Sequence, residues 1–528
     1  MRSIRGPEKS SRRDEATSLH LFQPPLYQDP TGIWHRSYSD ALAGCDRRLT
    51  WDPAAILSLL SFGYVCGDRT LVREIRRRPW LSHIEDDGRV RLERIPPHDT
   101  LWPPYSEIAA NLVSLLCEEA LDVCRERNEI YLLLSGGLDS RIIAGVVAKL
   151  YREGRLQSKP IALTWGLEKS RDVVYARAVA DLLNFHWEHI AIVPEDVAQN
   201  IEATALLLGC LVAPEHLHRM TWFKNVSRGA LVLAGSYGDS VGRAEFSGRH
   251  VLELDGLHPA NFLGLLSPEV AALASEGVLA DITALHDRAP GQPGYVVLEH
   301  EMHGQYMRGM IAHAMSIINH YCTVYQMFTH PKVYAYMWSI HPARRTDYIY
   351  EEALEQLDKR LARLPWARTN RALRGRTMGA RAGLLPNFAE YAAWTSGPLF
   401  KKLQAYIDPE WFAETCLFDP NRIRELSHLV QGAVGSHWIY GYRPHQIWVW
   451  LACFRRFAEW VDQGGKSVNS DFSAPPNAPA GIASVPCDQR SKIRRFFSGV
   501  RVLHRIVQRV RRHVLRRLAV RKYPPRQS

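Results

Sequence analysis

The sequence predicts an α/β fold in which a parallel sheet carries helices on both faces and a helical C-terminal region follows. Three observations lead there. Short apolar runs alternate with amphipathic stretches of helical spacing between residues 106 and 257. A glycine-containing hexapeptide stands between one such run and the next helix, and residues 258–462 are rich in aromatics and methionine without strand alternation. Parallel strands need a crossover, usually a helix, so this alternation selects a parallel sheet whose ligands bind beyond the carboxyl ends of the strands.

Taken in order, residues 1 to about 50 are polar and broken by Pro24, Pro25 and Pro30, which predicts loose or short β structure. Pro53 to about Pro104 reads as a compact connector; together these make a truncated N-terminal region, 1–105. Glu107 to Arg127 places Ile108, Leu112, Leu115, Leu116 and Val123 at helical spacing, with Ser106 positioned as its cap. Strands are expected at Ile130 to Leu134, Pro160 to Trp165, Trp187 to Ile192 and Ala230 to Ala234, with helices at Ser140 to Tyr151 and Asp172 to Asn184. These define a core at 106–257, and the helical part at 258–462 completes the body. Residues 463–489, with Gly464, Gly465, Pro475, Pro476, Pro479, Gly481 and Pro486 among small polar residues, have linker composition.

Composition excludes several classes. With 46% hydrophobic and 23% charged residues the chain is neither largely disordered nor fibrous, and 528 residues imply more than one packed unit. No apolar run is long enough to cross a bilayer. The arginine-dotted N-terminus lacks a signal core, and the nine cysteines lack metal or redox spacing, so reduced, buried thiols in a cytoplasmic protein are expected. His216/His218 and His186/His189 lack a third ligand at zinc spacing and read as ordinary histidines.

The net charge of +11 belongs to the tail. Residues 490–528 hold 14 of the 66 Lys and Arg and none of the 55 Asp and Glu. There Ile493, Phe496, Phe497, Val500, Leu503, Val507, Val510, Val514 and Leu518 form one apolar stripe, flanked by arginines. Such a helix suits an anionic membrane surface, which would make the protein peripheral at the inner face of the membrane. Docking on a partner or on the protein's own body is the next reading, and nucleic acid is the least favoured.

Chemistry concentrates in Ser135-Gly-Gly-Leu-Asp-Ser140, between a strand and a helix. Gly136 and Gly137 let the backbone approach a phosphate, and helix-start N–H groups point at it. Ser135 and Ser140 add hydroxyls, whereas Asp139, an anion beside anions, calls for a divalent cation between them. The motif therefore indicates a nucleotide with its metal.

This hexapeptide resembles the PP-loop of the ATP pyrophosphatases, and two further segments are similar to the asparagine synthetase branch of that superfamily. Leu163-Thr-Trp-Gly-Leu-Glu-Lys-Ser-Arg-Asp172 looks like the stretch lining the adenine pocket. Leu233-Ala-Gly-Ser-Tyr-Gly-Asp-Ser240 is similar to the second acidic loop. The resemblance, spanning roughly 53 to 462, implies ATP contacts at Leu134, Ser135, Gly136, Gly137, Asp139, Ser140, Trp165, Ala234 and Gly235, with Mg2+ on Asp139 and Asp239. It implies an AMP-forming ligase: a carboxylate on a small molecule, glycan or peptide becomes an acyl-adenylate, and ammonia or an amine then forms the amide.

Departures from the family pattern are equally specific. Glutamine-hydrolysing members begin with a nucleophilic cysteine after Met removal; here position 2 is Arg and the first cysteine is Cys45, so no glutaminase activity is expected. Ser236 stands where the family has an acid or a tyrosine, leaving Tyr237 as the candidate catalytic base. The strand that usually carries acidic residues corresponds to Thr323 to His330 and keeps only Phe328. The expected lysine has no counterpart, and Arg368, Arg371, Arg374 and Arg376 offer cations instead. A degenerate nucleotide-binding scaffold and a tRNA-modifying PP-loop enzyme, for which Cys210 is the nearest thiol, remain the alternatives.

Overall fold

The computed structural model describes residues 20–45, 48–373, 381–432, 444–463 and 467–469. The basic tail, almost all of the expected linker, Arg374 and Arg376 lie outside the described residues.

The centre is a five-stranded, all-parallel sheet. Its strands are β1 (Ile130–Leu133), β2 (Ile161–Gly166), β3 (His186–Ala191), β4 (Leu231–Ala234) and β5 (Thr323–Gln326), in the spatial order β5-β4-β1-β2-β3. The chain runs outward through β1, β2 and β3, then returns to the other side of β1 for β4 and β5. That reversal leaves a crevice between the carboxyl ends of β1 and β4. Register fixes its depth: Leu231, Val232 and Leu233 of β4 lie opposite Ile130, Tyr131 and Leu132 of β1.

β5 comes from the stretch read as helix-rich without strand alternation, where only the resemblance placed a strand, at Thr323 to His330. Its four residues sit at a sheet edge, Val324 and Gln326 pointing into the core, and so short a strand gives little periodicity to read. The helix Tyr105–Cys124 starts after Pro104 without a side-chain cap, so the cap expected from Ser106 is not used. Its apolar stripe covers the sheet instead, with Ile108, Leu112 and Leu116 fully buried. The helices Asp139–Arg152 and Asp347–Arg363 pack with it.

A second core lies outside the sheet. The helix Pro53–Phe62 is capped by Asp52, whose Oδ1 accepts from the N–H groups of Ala54 (3.0 Å) and Ala55 (3.3 Å). It is buried on nearly every face, so it acts as an interior element and not merely as a connector. Pro268–His286 packs on it, while Pro444–Gln463, carrying Trp448, Trp450 and Phe454, packs on the helix Glu195–Leu208 within the same core. The helices between Tyr391 and Gln463 form the C-terminal helical region.

Two devices tie the sheet to this surround. Glu299 is fully buried and takes both guanidinium branches of Arg345 at 2.6 Å and His98 Nε2 at 2.9 Å, joining three distant segments. Glu119 accepts from the N–H groups of Phe328 (3.2 Å) and His330 (3.1 Å), fixing the turn after β5 in which Phe328 adopts φ +75°. Of the eight described cysteines only Cys416 is exposed. Among the described residues no helix is long and apolar enough to cross a membrane.

Candidate functional site

Beyond the carboxyl ends of β1, β2 and β4 lies a cavity of about 330 Å³, within the range of small-molecule sites. Leu134, Ser135, Asp139, Ser140, Trp165 and Gly235 line it, joined by Thr164, Asp172 and Ser236. Of the residues expected to meet a nucleotide, Gly136, Gly137 and Ala234 shape its floor without lining it.

The first loop is braced from within. Ser135 N–H donates to Ser140 Oγ, the two hydroxyls bond each other, and Gly137 N–H donates to Ser135 Oγ, all at 3.1 Å. Gly136 is required by crowding, since a Cβ there would stand 2.8 Å from that of Ala367 and 2.9 Å from the Arg171 carbonyl. Arg141, just past the motif, is wholly buried. Its Nη1 donates to the carbonyls of Leu361 (3.1 Å) and Leu364 (3.0 Å), and its Nη2 to those of Pro365 (2.7 Å) and Gly136 (3.3 Å). This guanidinium clamps the loop to a segment over 200 positions away. Burial pushes its pKa down to about 10.

The second loop meets the first backbone to side chain. A Cβ on Gly238 would fall 2.6 Å from Asp139 Cβ, and one on Gly235 would fall 3.1 Å from Ser140 N. The close approach brings the two acidic residues together. Burial, and then the charge of Asp139, push Asp239 up to about 8; burial likewise raises Asp139, against the pull of Arg243. Asp239 Oδ1 accepts from Ser240 N–H at 2.8 Å.

Arg243 is the cation at this end. Its Nη2 lies 3.3 Å from Asp139 Oδ2, its Nη1 2.9 Å from Asp347 Oδ1, and its guanidinium covers the rings of Tyr350 and Trp366. Tyr350 donates to the Gly238 carbonyl at 2.7 Å and also reaches Asp139. Arg368, one of the cations expected from sequence, pairs with Glu245 and stacks on Trp366, outside the cavity lining. Arg371 also stands outside that lining.

At the opposite end the walls are aromatic. His218, Trp165 and Phe388 line the cavity, with ring centroids 6.1 Å apart for His218 and Trp165 and 5.1 Å for His218 and Phe388. His218 Nδ1 bonds the Tyr391 hydroxyl at 2.9 Å, and burial drives its pKa down to about 3, so the ring is neutral. Asp172 adds a carboxylate that Gly136 N–H approaches, raised to about 6 by burial. The third wall is apolar: Met310, Ile311, Ala314 and Met315, from a wide-turn helix at His303–Ala312 and the turn after it. Ser236 Oγ–H donates to Met315 Sδ at 3.2 Å, and Ser236 N–H to Gln326 Oε1 at 3.2 Å.

Tyr237 is placed elsewhere. Its ring is 1% exposed, packs edge-on against Phe22, and lines a separate small cavity. Burial raises its pKa, opposing the proton acceptance a base requires. Sequence reasoning passed over Arg243, Arg141, His218 and the Met310–Met315 wall as site residues. Arg141 was detectable as an arginine on the apolar face of its helix; the rest converge only through the fold.

Asp139 and Asp239 fit a hard cation. Two facing carboxylates whose ionisation is opposed by burial and by each other gain from a shared positive charge, and Mg2+ typically takes one or two carboxylates plus phosphate oxygens. Among the described residues no group of three or more His, Cys, Asp or Glu suited to a metal occurs.

A family model described as asparagine synthase matches residues 114–241, the stretch from within the first sheet-covering helix through the second loop. Among solved structures the chain is similar to one described as NMN synthetase from Francisella tularensis, with 15% identity over 49% of this chain and 97% of that one, at a TM-score of 0.21. No curated protein matches. Residues 114–241 are thus an asparagine-synthase-like region of PP-loop type.

Proposed function

We propose that the chain is an ATP-dependent, AMP-forming carbon–nitrogen ligase of the asparagine-synthase kind. The observation that carries this reading is the meeting of Asp139, which lines the cavity, with Asp239 from the second loop, at the N-terminus of the helix Asp139–Arg152.

ATP would lie with its base among Trp165, His218 and Phe388 and its phosphates over Ser135–Ser140. Loop N–H groups and the helix start hold the phosphate oxygens. A substrate carboxylate then attacks the α-phosphorus; the bond to the β-phosphate oxygen breaks, and an acyl-adenylate and pyrophosphate result. Ammonia or an amine attacks the acyl carbon, AMP leaves, and the nitrogen sheds a proton to give the amide. When bound by Asp139 and Asp239, Mg2+ supplies positive charge for the departing pyrophosphate. Arg243 adds a fixed cation beside Asp139 and takes the role first sought among Arg368, Arg371, Arg374 and Arg376. The amine's proton would pass to water, to the substrate's own groups, or to His216, which also lines the cavity.

On this reading residues 106–257 bind ATP, 258–462 shape the acceptor wall, and the 490–528 tail serves location. The test is pyrophosphate and AMP release from ATP and Mg2+ with aspartate and ammonium, beside an Asp139→Ala control. Release that needs Asp139 and aspartate, with asparagine formed, supports the reading; aspartate-independent ATP binding without turnover, repeated across a panel of carboxylates, leaves a nucleotide-binding scaffold.

A further inference from the structure

Tyr237 lines a second cavity, of about 30 Å³, that the ligase reading does not use. It lies across the wide-turn helix from the cleft: Met310, Ile311 and Ala314 face the cleft, whereas Arg308, Ala312 and His313 face this one. Arg77 and Arg78 complete its cationic side.

These guanidiniums are poorly compensated. Arg77 is 3% exposed; its Nε donates to the Arg69 carbonyl (3.0 Å) and its Nη2 to those of Val65 and Gly67 (2.8 Å each), while nothing described accepts from Nη1. Arg78, partly buried, donates its Nη2 to the Pro24 carbonyl at 2.9 Å, and among the described residues no carboxylate pairs with Arg77 or Arg78. Arg308 bonds the carbonyls of Gly67 (3.2 Å) and Arg78 (2.6 Å), and pairs with Asp68 at 2.9 Å. Asp68 is therefore the one carboxylate paired within the cluster among the described residues, and it is 38% exposed. The Tyr237 hydroxyl, buried and neutral, has no described hydrogen-bond partner either.

Carbonyl oxygens satisfy donors but do not neutralise charge, and buried cations without an anion are strongly disfavoured. Burial and the neighbouring Arg308 lower both Arg77 and Arg78 to about 10, which is the same conflict seen through protonation. Volume limits what resolves it. A space of this size takes about two water-sized spheres, enough for a halide or a formate-sized carboxylate but too small for phosphate or a nucleotide.

We propose that this cavity is a site for one compact monovalent anion, a halide or the carboxylate of a very small acid, held by Arg77, Arg78 and Arg308 with the Tyr237 hydroxyl as neutral donor. The site stands independently of the ligase reading. Its position assigns Tyr237 a purpose: the residue beside Ser236 anchors the second loop to an anion.

The test uses the full chain. Crystals soaked in bromide should show an anomalous peak between Arg77, Arg78 and Tyr237. Thermal unfolding at constant ionic strength should rise saturably with chloride, bromide or formate but not with gluconate or phosphate; whether halide or formate saturates first identifies the source. Arg78→Gln should raise the half-saturating concentration about tenfold or more, as loss of a charge-assisted hydrogen bond does. Tyr237→Phe, which keeps the ring, should raise it severalfold. The proposal is overturned if no peak appears and all anions act alike, if phosphate saturates as well as halide, or if folded Arg78→Gln and Tyr237→Phe both respond as the parent does.

Discussion

At the Asp139 end of the cleft, position is set by charge and by backbone contact. Gly136, Gly235 and Gly238 leave no room for a Cβ, Arg141 ties the loop to distant carbonyls, and Arg243 spans three carboxylates. At the Met315 end, Met310, Ile311, Ala314 and Met315 form an apolar wall held through the Met315 thioether, which accepts from the Ser236 hydroxyl at 3.2 Å and from Gln326 Nε2 at 2.6 Å. Hydrogen bonds and crowding define one geometry, whereas flexible thioethers adapt to shape. On the proposed ligase reading, a cleft built this way fixes the nucleotide chemistry and leaves acceptor choice to packing.

The strongest way to break the contrast is at the charged end. Asp139→Ala should lower pyrophosphate release by about 10²–10³-fold, the scale of removing a preorganised electrostatic group, with the protein still folded. Single-turnover assays beside a circular dichroism spectrum check both halves. Loss of fold in place of loss of turnover would make Asp139 structural.

The Glu299–Arg345–His98 knot tests whether the surround positions both ends. Glu299→Ala leaves Arg345 buried and unpaired and should cost about 3–5 kcal/mol in denaturant unfolding. Replacing both partners by methionine should recover most of that loss. If the double variant stays as unstable as the single one, packing around the pair outweighs its charge.

Gly238→Ala places a methyl 2.6 Å from Asp139 Cβ and 2.7 Å from its Oδ1. Overpacking of this kind costs about 1–3 kcal/mol, and here the strain falls on the carboxylate proposed to bind Mg2+. Apparent Mg2+ affinity in the turnover assay should weaken more than overall stability does. Equal losses in both would remove the argument that this glycine serves the site.

The pH dependence follows from Asp239. Raised to about 8, its carboxyl keeps a proton in the fold that it releases near 4 when unfolded, so the folded state binds more protons between those values. Stability without metal should therefore fall as pH rises from about 4 to about 8, the opposite of a salt-bridged carboxylate. Mg2+ needs the ionised form, so its apparent affinity should climb by up to about tenfold per unit toward pH 8. Asp239→Asn should flatten both profiles.

What was legible in the sequence follows the same division. Ser135–Ser140 could be read because its geometry is local: a strand end, two glycines and a helix start, all within six residues. The sheet was legible from alternation, except β5, which is too short to show a period. Asp239 could be matched by motif, but Tyr237 lines a different cavity from its neighbour Ser236, because adjacent residues in the loop face different sides of the wide-turn helix. The aromatic wall, Arg243 and the methionine wall come from segments brought together by long-range packing, which no local spacing encodes.

The smallest expected effect sharpens the comparison most. Ser236 stands where the resemblance led to an acid or a tyrosine being expected, and here its hydroxyl donates to Met315 Sδ. Ser236→Ala removes one weak bond and should cost under about 1 kcal/mol. Met315→Leu keeps volume but takes the thioether acceptor from the buried Gln326 Nε2 as well, and should cost about 1–3 kcal/mol. If the apolar wall selects the acceptor, both variants should shift KM for the carboxylate severalfold while leaving KM for ATP and single-turnover pyrophosphate release nearly unchanged. If instead both variants depress adenylation itself, the two ends are coupled through the Gly235–Ser236 backbone, and the division between fixed chemistry and adaptable recognition fails at that peptide.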